Sequence, residues 1–194
     1  MVITFRNIEE AIMPHLTHPG QNLVHILFNL TPFNVCGPKL SSSTQKYHVK
    51  ENGVVPSVYA HTYEMVLAGI KVLSLFLEDG KPCSKNDARI LSIVFHDAWK
   101  YGPRGTYPHT LRNHEKQMAD IFEGHKSIIR PYFETEEDYE TFIVMIRYHS
   151  GRWSSDIPKH TKLTFDWNNW PSDILFIHML DMLSTRDCFS FLNL

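Results

Sequence analysis

The chain has 194 residues, 43% of them apolar and 21% charged, which suits one globular domain with a sizeable core. Its formal charge of -2 lacks the basic footprint of a protein that grips duplex nucleic acid, although a small nucleotide remains an eligible partner. Cys36, Cys83 and Cys188 are odd in number and outside any Cys-x-x-Cys spacing, so a reducing, cytoplasmic setting is expected rather than a disulfide framework or a thiolate zinc knuckle.

The N-terminus, Met1 to Glu10, is charged too early for a signal peptide, and no window reaches ~18 uninterrupted apolar residues; a soluble chain with no membrane partner is expected. Residues 1–55 are punctuated by Pro14, Pro19, Pro32 and Pro38 and carry the polar run Ser41-Ser42-Ser43-Thr44. They read as an irregular N-terminal extension packed on the core, with short helices around Ile8 to His15 and Asn22 to Asn29. His15, His18, His25 and His48 have no partners at ligand spacing there, and each is assigned a structural or surface role.

Residues 56–194 read as the main domain. Pro56 opens a helix whose stripe is Tyr59, Tyr63, Val66, Ile70, Leu73 and Leu77, ending near Gly80. A second helix follows the Ser-x-x-Asp capping signal Ser84-Lys85-Asn86-Asp87 and runs to His96-Asp97. A loop spans Pro103 to Leu111, and Asn113 caps a third helix from His114 to about Ile129. The box at Thr135-Glu136-Glu137-Asp138 opens a fourth, which reaches His149 and is stopped by the left-handed Gly151. An irregular, Trp-rich connection covers 152–171, and Ser172-Asp173 cap a last helix carrying Ile174 to Asp181. No strand pattern occurs, so the expected fold class is all-α, a helical bundle.

An apolar run that ends on His96-Asp97 puts two polar groups where burial needs a reason. A metal ion is the most economical one, since imidazole with carboxylate suits Zn, Mn, Fe, Ni or Mg-like ions. The ordinary alternative is a helix end with a satisfied core histidine and a solvated aspartate. Against that alternative stand His61, His114, His149 and Asp181, polar residues in otherwise apolar helices, so that every core helix contributes one.

The order His, His-Asp, His, His, Asp over an all-helical chain resembles the HD-domain metal-dependent phosphohydrolases, across roughly residues 56 to 187. The stretch His96-Asp97-Ala98-Trp99-Lys100-Tyr101-Gly102 is similar to members that keep a lysine at this place. The resemblance implies that His61, His96, Asp97 and Asp181 hold one divalent ion and that His114 and His149 hold a second, with Asp97 bridging the two; Mn, Fe, Co, Ni, Zn and Mg are the candidates. Such a donor set leaves coordination positions open, as a catalytic site needs. Two ions ~3.5 to 4 Å apart can activate a bridging water and clamp a phosphoryl group.

Asp97 and Lys100 are then the catalytic residues, Lys100 also binding substrate by neutralising phosphate oxygens, unless it is an ordinary helix-end lysine. Arg104, Arg147 and Arg152 are candidates to grip phosphate and Trp153 to stack on a base, with solvated arginines and a core tryptophan as the plainer reading. Tyr107 is a further candidate. His178 is expected behind the ligands or in the core, His109 yields to His114, and His125 is structural. Arg186 and Asp187 would pair or orient ligands. The expected reaction is hydrolysis of a phosphoester of a nucleotide or related small molecule by metal-activated water. A phosphodiesterase, a monoesterase and a dNTP triphosphohydrolase all fit, and a non-catalytic metal-stabilised helical binding module is the alternative of a different class.

Overall fold

Residues 2–42, 48–50, 52–76, 81–156 and 169–184 are described by a computed structural model of the chain, and among them the regular structure is all-α with short 3-10 turns and no strand. The sequence expectations for Ser43, Thr44, Leu77, Gly80, residues 157–168, Arg186, Asp187 and Cys188 lie outside the described residues, as does the side chain of Arg152. Helices α1 (Phe5–Ile12), α2 (His18–Leu30) and α3 (Phe33–Cys36) come first. They are more extensive than the short pieces expected, because Pro14 and Pro19 each occupy a first-turn position, where a proline has no hydrogen bond to lose. Thr17 caps α2 by accepting from Gly20 N at 3.2 Å.

The main body follows as α4 (Val58–Phe76), α5 (Ser84–Phe95), α6 (His114–Gly124), α7 (Lys126–Ile129), α8 (Glu136–Tyr148) and α9 (Ser172–Ser184). The Thr135 box is formed as expected: Thr135 Oγ accepts from Asp138 N at 3.1 Å, while Asp138 Oδ2 accepts from Thr135 N at 3.3 Å. The Ser84 signal works differently. Cys83 is the cap of α5, and Ser84 instead donates to Asp138 Oδ2 at 2.8 Å and accepts from Glu134 N at 2.9 Å, tying the start of α5 to the start of α8. The third helix is also shorter than expected, because the chain breaks at His125 into the single turn α7.

Helix α5 is the spine, packed on α4, α8 and α9, with α6 laid on α8 and α1 on α4. Ile90, Leu91, Ile93, Val94 and Phe95 are all buried, which is why the apolar run before His96 looks continuous. Ile8, Ile12, Leu23, Leu27 and Phe33 of the first 42 residues belong to the same core cluster. A ladder of rings crosses it, Phe33 to Phe95 at 5.7 Å, Phe95 to Phe122 at 6.5 Å and Phe122 to Phe142 at 5.2 Å between centroids. Each such burial contributes roughly 1.5–3 kcal/mol. Among the described residues, no helix is long and apolar enough to cross a membrane.

The joint between α2 and α5 is tight and polar. The buried Asp87 carboxylate accepts from Thr17 N at 3.0 Å and from Thr17 Oγ, and a Cβ on Gly20 would stand 2.5 Å from Asp87 Oδ2. Gly20→Ala should therefore cost roughly 1–3 kcal/mol in urea unfolding. Gly124→Ala, where a Cβ meets nothing within 4 Å, should add roughly 0.4–1 kcal/mol. Equal stability of the two variants would refute the close joint. Burial also pushes the Asp87 carboxyl above its ordinary 3.8, against the two Thr17 donors. A folded-state value raised in this way contributes stability that is full below 3.8 and is lost as pH rises through the folded value. Unfolding curves of Asp87→Asn should consequently gain on those of the unmodified chain as pH rises from 3.8 through the raised folded-state value; parallel curves would contradict it.

Candidate metal centre

His61 lies in the first turns of α4, His96 and Asp97 just past the end of α5, His114 at the first position of α6, His149 just past α8, and Asp181 in the last turn of α9. Five helix ends thus meet at one end of the bundle. Ile93 and Ile146 fall in the last turns of α5 and α8, where backbone carbonyls have no partner within the helix. The histidine three residues on supplies it: His96 Nδ1 donates to Ile93 O at 2.7 Å and His149 Nδ1 to Ile146 O at 2.8 Å. His114 Nδ1 donates in the same way to Leu111 O at 2.9 Å. Ser184 Oγ gives its proton to Asp181 O at 2.8 Å, so at 3.0 Å it can only accept from His61 Nδ1.

With Nδ1 protonated in all four rings, the neutral form of each carries its lone pair at Nε2, on the side that faces the carboxylates. His61 Nε2 is 3.1 Å from Asp181 Oδ1, His114 Nε2 is 3.0 Å from Asp97 Oδ1, and His96 Nε2 is 3.5 Å from Asp97 Oδ2. His61 Nε2, His96 Nε2, His114 Nε2 and Asp97 Oδ1 are all buried without a hydrogen-bond partner. Lone pair against lone pair at these separations calls for a cation or a proton between them, so the donors present fit a divalent metal. They fall into three groups, each with its donor atoms within 4.8 Å of one another: His48, His61 and Asp181; His61, His96 and Asp97; Asp97, His114 and His149. Asp97 is common to the last two.

Protonation states agree with that donor set. Burial opposes charge on Asp97, yet Lys100, whose Nζ bonds Asp97 Oδ2, together with His96 and His114 holds the carboxyl well below its usual range. Asp181 is likewise held low against its burial, chiefly by His61. Burial drives His96 below the ordinary imidazole value, His149 to about 4 with help from His96 and His114, and His48 to about 3. His114 differs: burial opposes its charge, but the adjoining Asp97 carries it upward. Behind it, buried Glu115 accepts from Ser155 N at 2.8 Å and brings Oε2 within 3.3 Å of His114 Nδ1.

The cluster forms the floor of a cleft of about 620 Å³, walled by Ser41, Ser42, His109, Thr110, Leu111, Arg112 and Ser150. All six residues that the sequence nominated for metal come together here, and Lys100 lines the same cleft. Of the nominated substrate residues, Arg104 is exposed and does not line the cleft. Arg147 turns away from it, bonding Asp156 Oδ2 at 2.8 Å, Asp120 Oδ1 at 2.7 Å and Glu123 Oε2 at 2.7 Å. Trp153 is exposed, its ring tilted 6.1 Å from that of His178. His178 Nδ1 donates to the His149 carbonyl at 2.8 Å, behind the cluster as expected, and packs on Gly151, whose φ of +60° favours glycine. His109 stands on the cleft rim and His125 bonds the Ile121 carbonyl at 2.8 Å, away from the cluster.

Two residues escaped the sequence reading. Arg112 differs in nothing visible from any loop arginine. His48, assigned a structural or surface role, instead lies 4.5 Å from His61 between ring centroids and joins the first donor group. Comparison with models of known protein families, with curated proteins and with solved structures finds no match.

Because Arg147 is a strut between α8, α6 and the 150s turn, Arg147→Met should lower stability by roughly 1–2 kcal/mol, discounted for the half-exposed acids. Metal content should not change. Loss of metal without loss of stability would place Arg147 in the centre after all.

Proposed function

We propose that the chain is a metal-dependent phosphohydrolase of the HD-domain type, acting on a phosphoester of a nucleotide or a related small molecule. The observation that carries this reading is the convergence of His61, His96, Asp97, His114, His149 and Asp181 from five helices on one buried cluster under an open cleft, with unpartnered Nε2 atoms aimed at carboxylates. His61, His96, Asp97 and Asp181 would hold one divalent ion, and His114 and His149 a second shared through Asp97. Bound there, such a pair supplies an activated water and neutralises phosphoryl oxygens.

The chain's own residues do the rest. The carbonyl and serine partners on each Nδ1 fix the ring orientation so that the neutral imidazole presents its Nε2 lone pair to the ions, and only at His114, where Asp97 favours the imidazolium, does an entering ion compete with a proton. Lys100, 6% exposed and lining the cleft beside Asp97, offsets charge that builds on the phosphoryl oxygens. Arg112 stands on the same wall, where it can meet a second anionic group of the substrate. In the net reaction water gives its hydroxyl to phosphorus and its proton to the leaving ester oxygen, and the P–O ester bond breaks. A cyclic diester, a monoester and a deoxynucleoside triphosphate all suit this scheme.

Purified protein loaded with Mn, Co, Ni or Fe should bind two equivalents and release phosphate or a nucleoside phosphate from a member of a nucleotide panel, with products identified by mass spectrometry. Full loading with every metal and no turnover of any substrate would defeat the proposal. Lys100→Met should keep both equivalents while kcat falls about 10²- to 10³-fold. Asp97→Ala should lose metal and activity together.

A further inference from the structure

Among the described residues, the N-terminal segment contributes His48 to the donor groups of the metal centre. After α3 the chain runs beside the start of α4, with Ser41 N donating to Pro56 O at 2.8 Å, Val58 N to Lys39 O at 2.7 Å and Tyr59 N to Gly37 O at 2.8 Å. Further on, Lys50 Nζ is held by Glu64 Oε2 at 2.5 Å and by the Ser184 carbonyl at 3.1 Å. Ser184 is also the residue whose hydroxyl orients His61. His48 lies between these anchors, and among the described residues it alone, glycines aside, has a left-handed backbone, with φ of +58°. That conformation is unfavourable for a residue with a side chain and persists where the surroundings impose it. It turns the imidazole edge-on to His61, the rings at 74°, with Nδ1 buried and lacking a hydrogen-bond partner. His61, in the same donor group, is fully buried with Nε2 equally unpartnered.

Building on the metal reading above, we propose that His48 is an additional protein ligand on the His61 side of the centre, delivered by the N-terminal segment, so that the two ions are held unequally. One side then has His48, His61, His96, Asp97 and Asp181, the other only Asp97, His114 and His149. The ion on the richer side keeps fewer positions for water or substrate. The phosphoryl group consequently docks toward His114 and His149, beside Lys100 and Arg112 on the cleft wall. If His48 were merely a packed ring, its Nδ1 would remain a buried polar atom with no compensation.

Co(II) titration of the metal-free full chain, followed by visible absorption and elemental analysis, tests this without any substrate. The unmodified protein and His18→Ala, an exposed histidine of the same segment, should each bind two equivalents. His48→Ala should weaken one equivalent by about tenfold or more, leave the other within twofold, and intensify the absorption of the weakened ion as its coordination number drops. Should His48→Ala lose helix content by circular dichroism, His48→Gln, which preserves bulk, carries the same comparison. Two equivalents in the unmodified chain with unchanged affinities and spectra in both His48 variants would overturn this inference and leave the proposed function standing. No Co(II) bound by the unmodified chain would overturn both.

Discussion

A buried carboxylate, Asp97, and a half-buried one, Asp181, meet imidazoles whose Nδ1 protons are already bonded elsewhere, and the architecture of this chain is arranged around that confrontation. Asp97 Oδ1 lies 3.0 Å from His114 Nε2, and Asp181 Oδ1 lies 3.1 Å from His61 Nε2, in a region from which water is largely removed. Taking charges out of water costs several kcal/mol per ion unless the partners compensate. Lys100 compensates at one oxygen of Asp97, and the other faces His114 Nε2. A well-packed apolar end to the bundle would be easier to fold. The polar end present instead offers groups that could hold a metal ion.

What keeps the donors in place is the geometry of helix ends. A helix leaves its last carbonyls unbonded, and a histidine just beyond the final turn can satisfy one of them through Nδ1, which necessarily turns Nε2 outward. His96 does this at α5 and His149 at α8. Since α5 and α8 pack along their length, their two imidazoles arrive side by side, ring centroids 4.9 Å apart. The apolar spine therefore sets a distance that the polar centre needs. Core packing transmits to chemistry because Phe95, fully buried, immediately precedes His96.

Most of the six cluster residues were legible in the sequence because they interrupt apolar helices, where a polar residue on a buried face needs a partner somewhere, and His114, among polar neighbours, was singled out by its place at a helix start and by the resemblance. Helix types and most boundaries followed from the same periodicity and from boxes such as Thr135 to Asp138. His48 was hidden for the opposite reason. It sits in a stretch without period, and its approach depends on backbone bonds between residues 37–42 and the start of α4, which leave no side-chain signature. Arg147 misled because a guanidinium two residues from His149 looks like a phosphate grip until Asp120, Glu123 and Asp156 arrive from other parts of the chain. Ser84 and Asp87 matched a local capping signal, yet their partners, Asp138 and Thr17, are 54 and 70 residues away. Local pattern identifies which residues need partners, whereas tertiary packing chooses the partners.

The charge inventory of the cleft orders the events on the proposed function. Among the described residues lining it, Asp97 and Asp181 stand against Lys100 and Arg112, and Lys100 is already engaged by Asp97. The carboxyls are held ionised and His48 and His149 are held neutral by burial, whereas Asp97 favours charge on His114. The charges of Lys100 and Arg112 are matched by those of Asp97 and Asp181, and a phosphate entering the cleft would meet the two carboxylates at its floor. Each divalent cation bound at that floor reverses the balance by two charges within a few ångströms of the incoming phosphoryl oxygens. Metal binding is then the condition for substrate binding as well as for activating water, and the protonated imidazole, favoured at His114 by Asp97, is the natural competitor for the same lone pair.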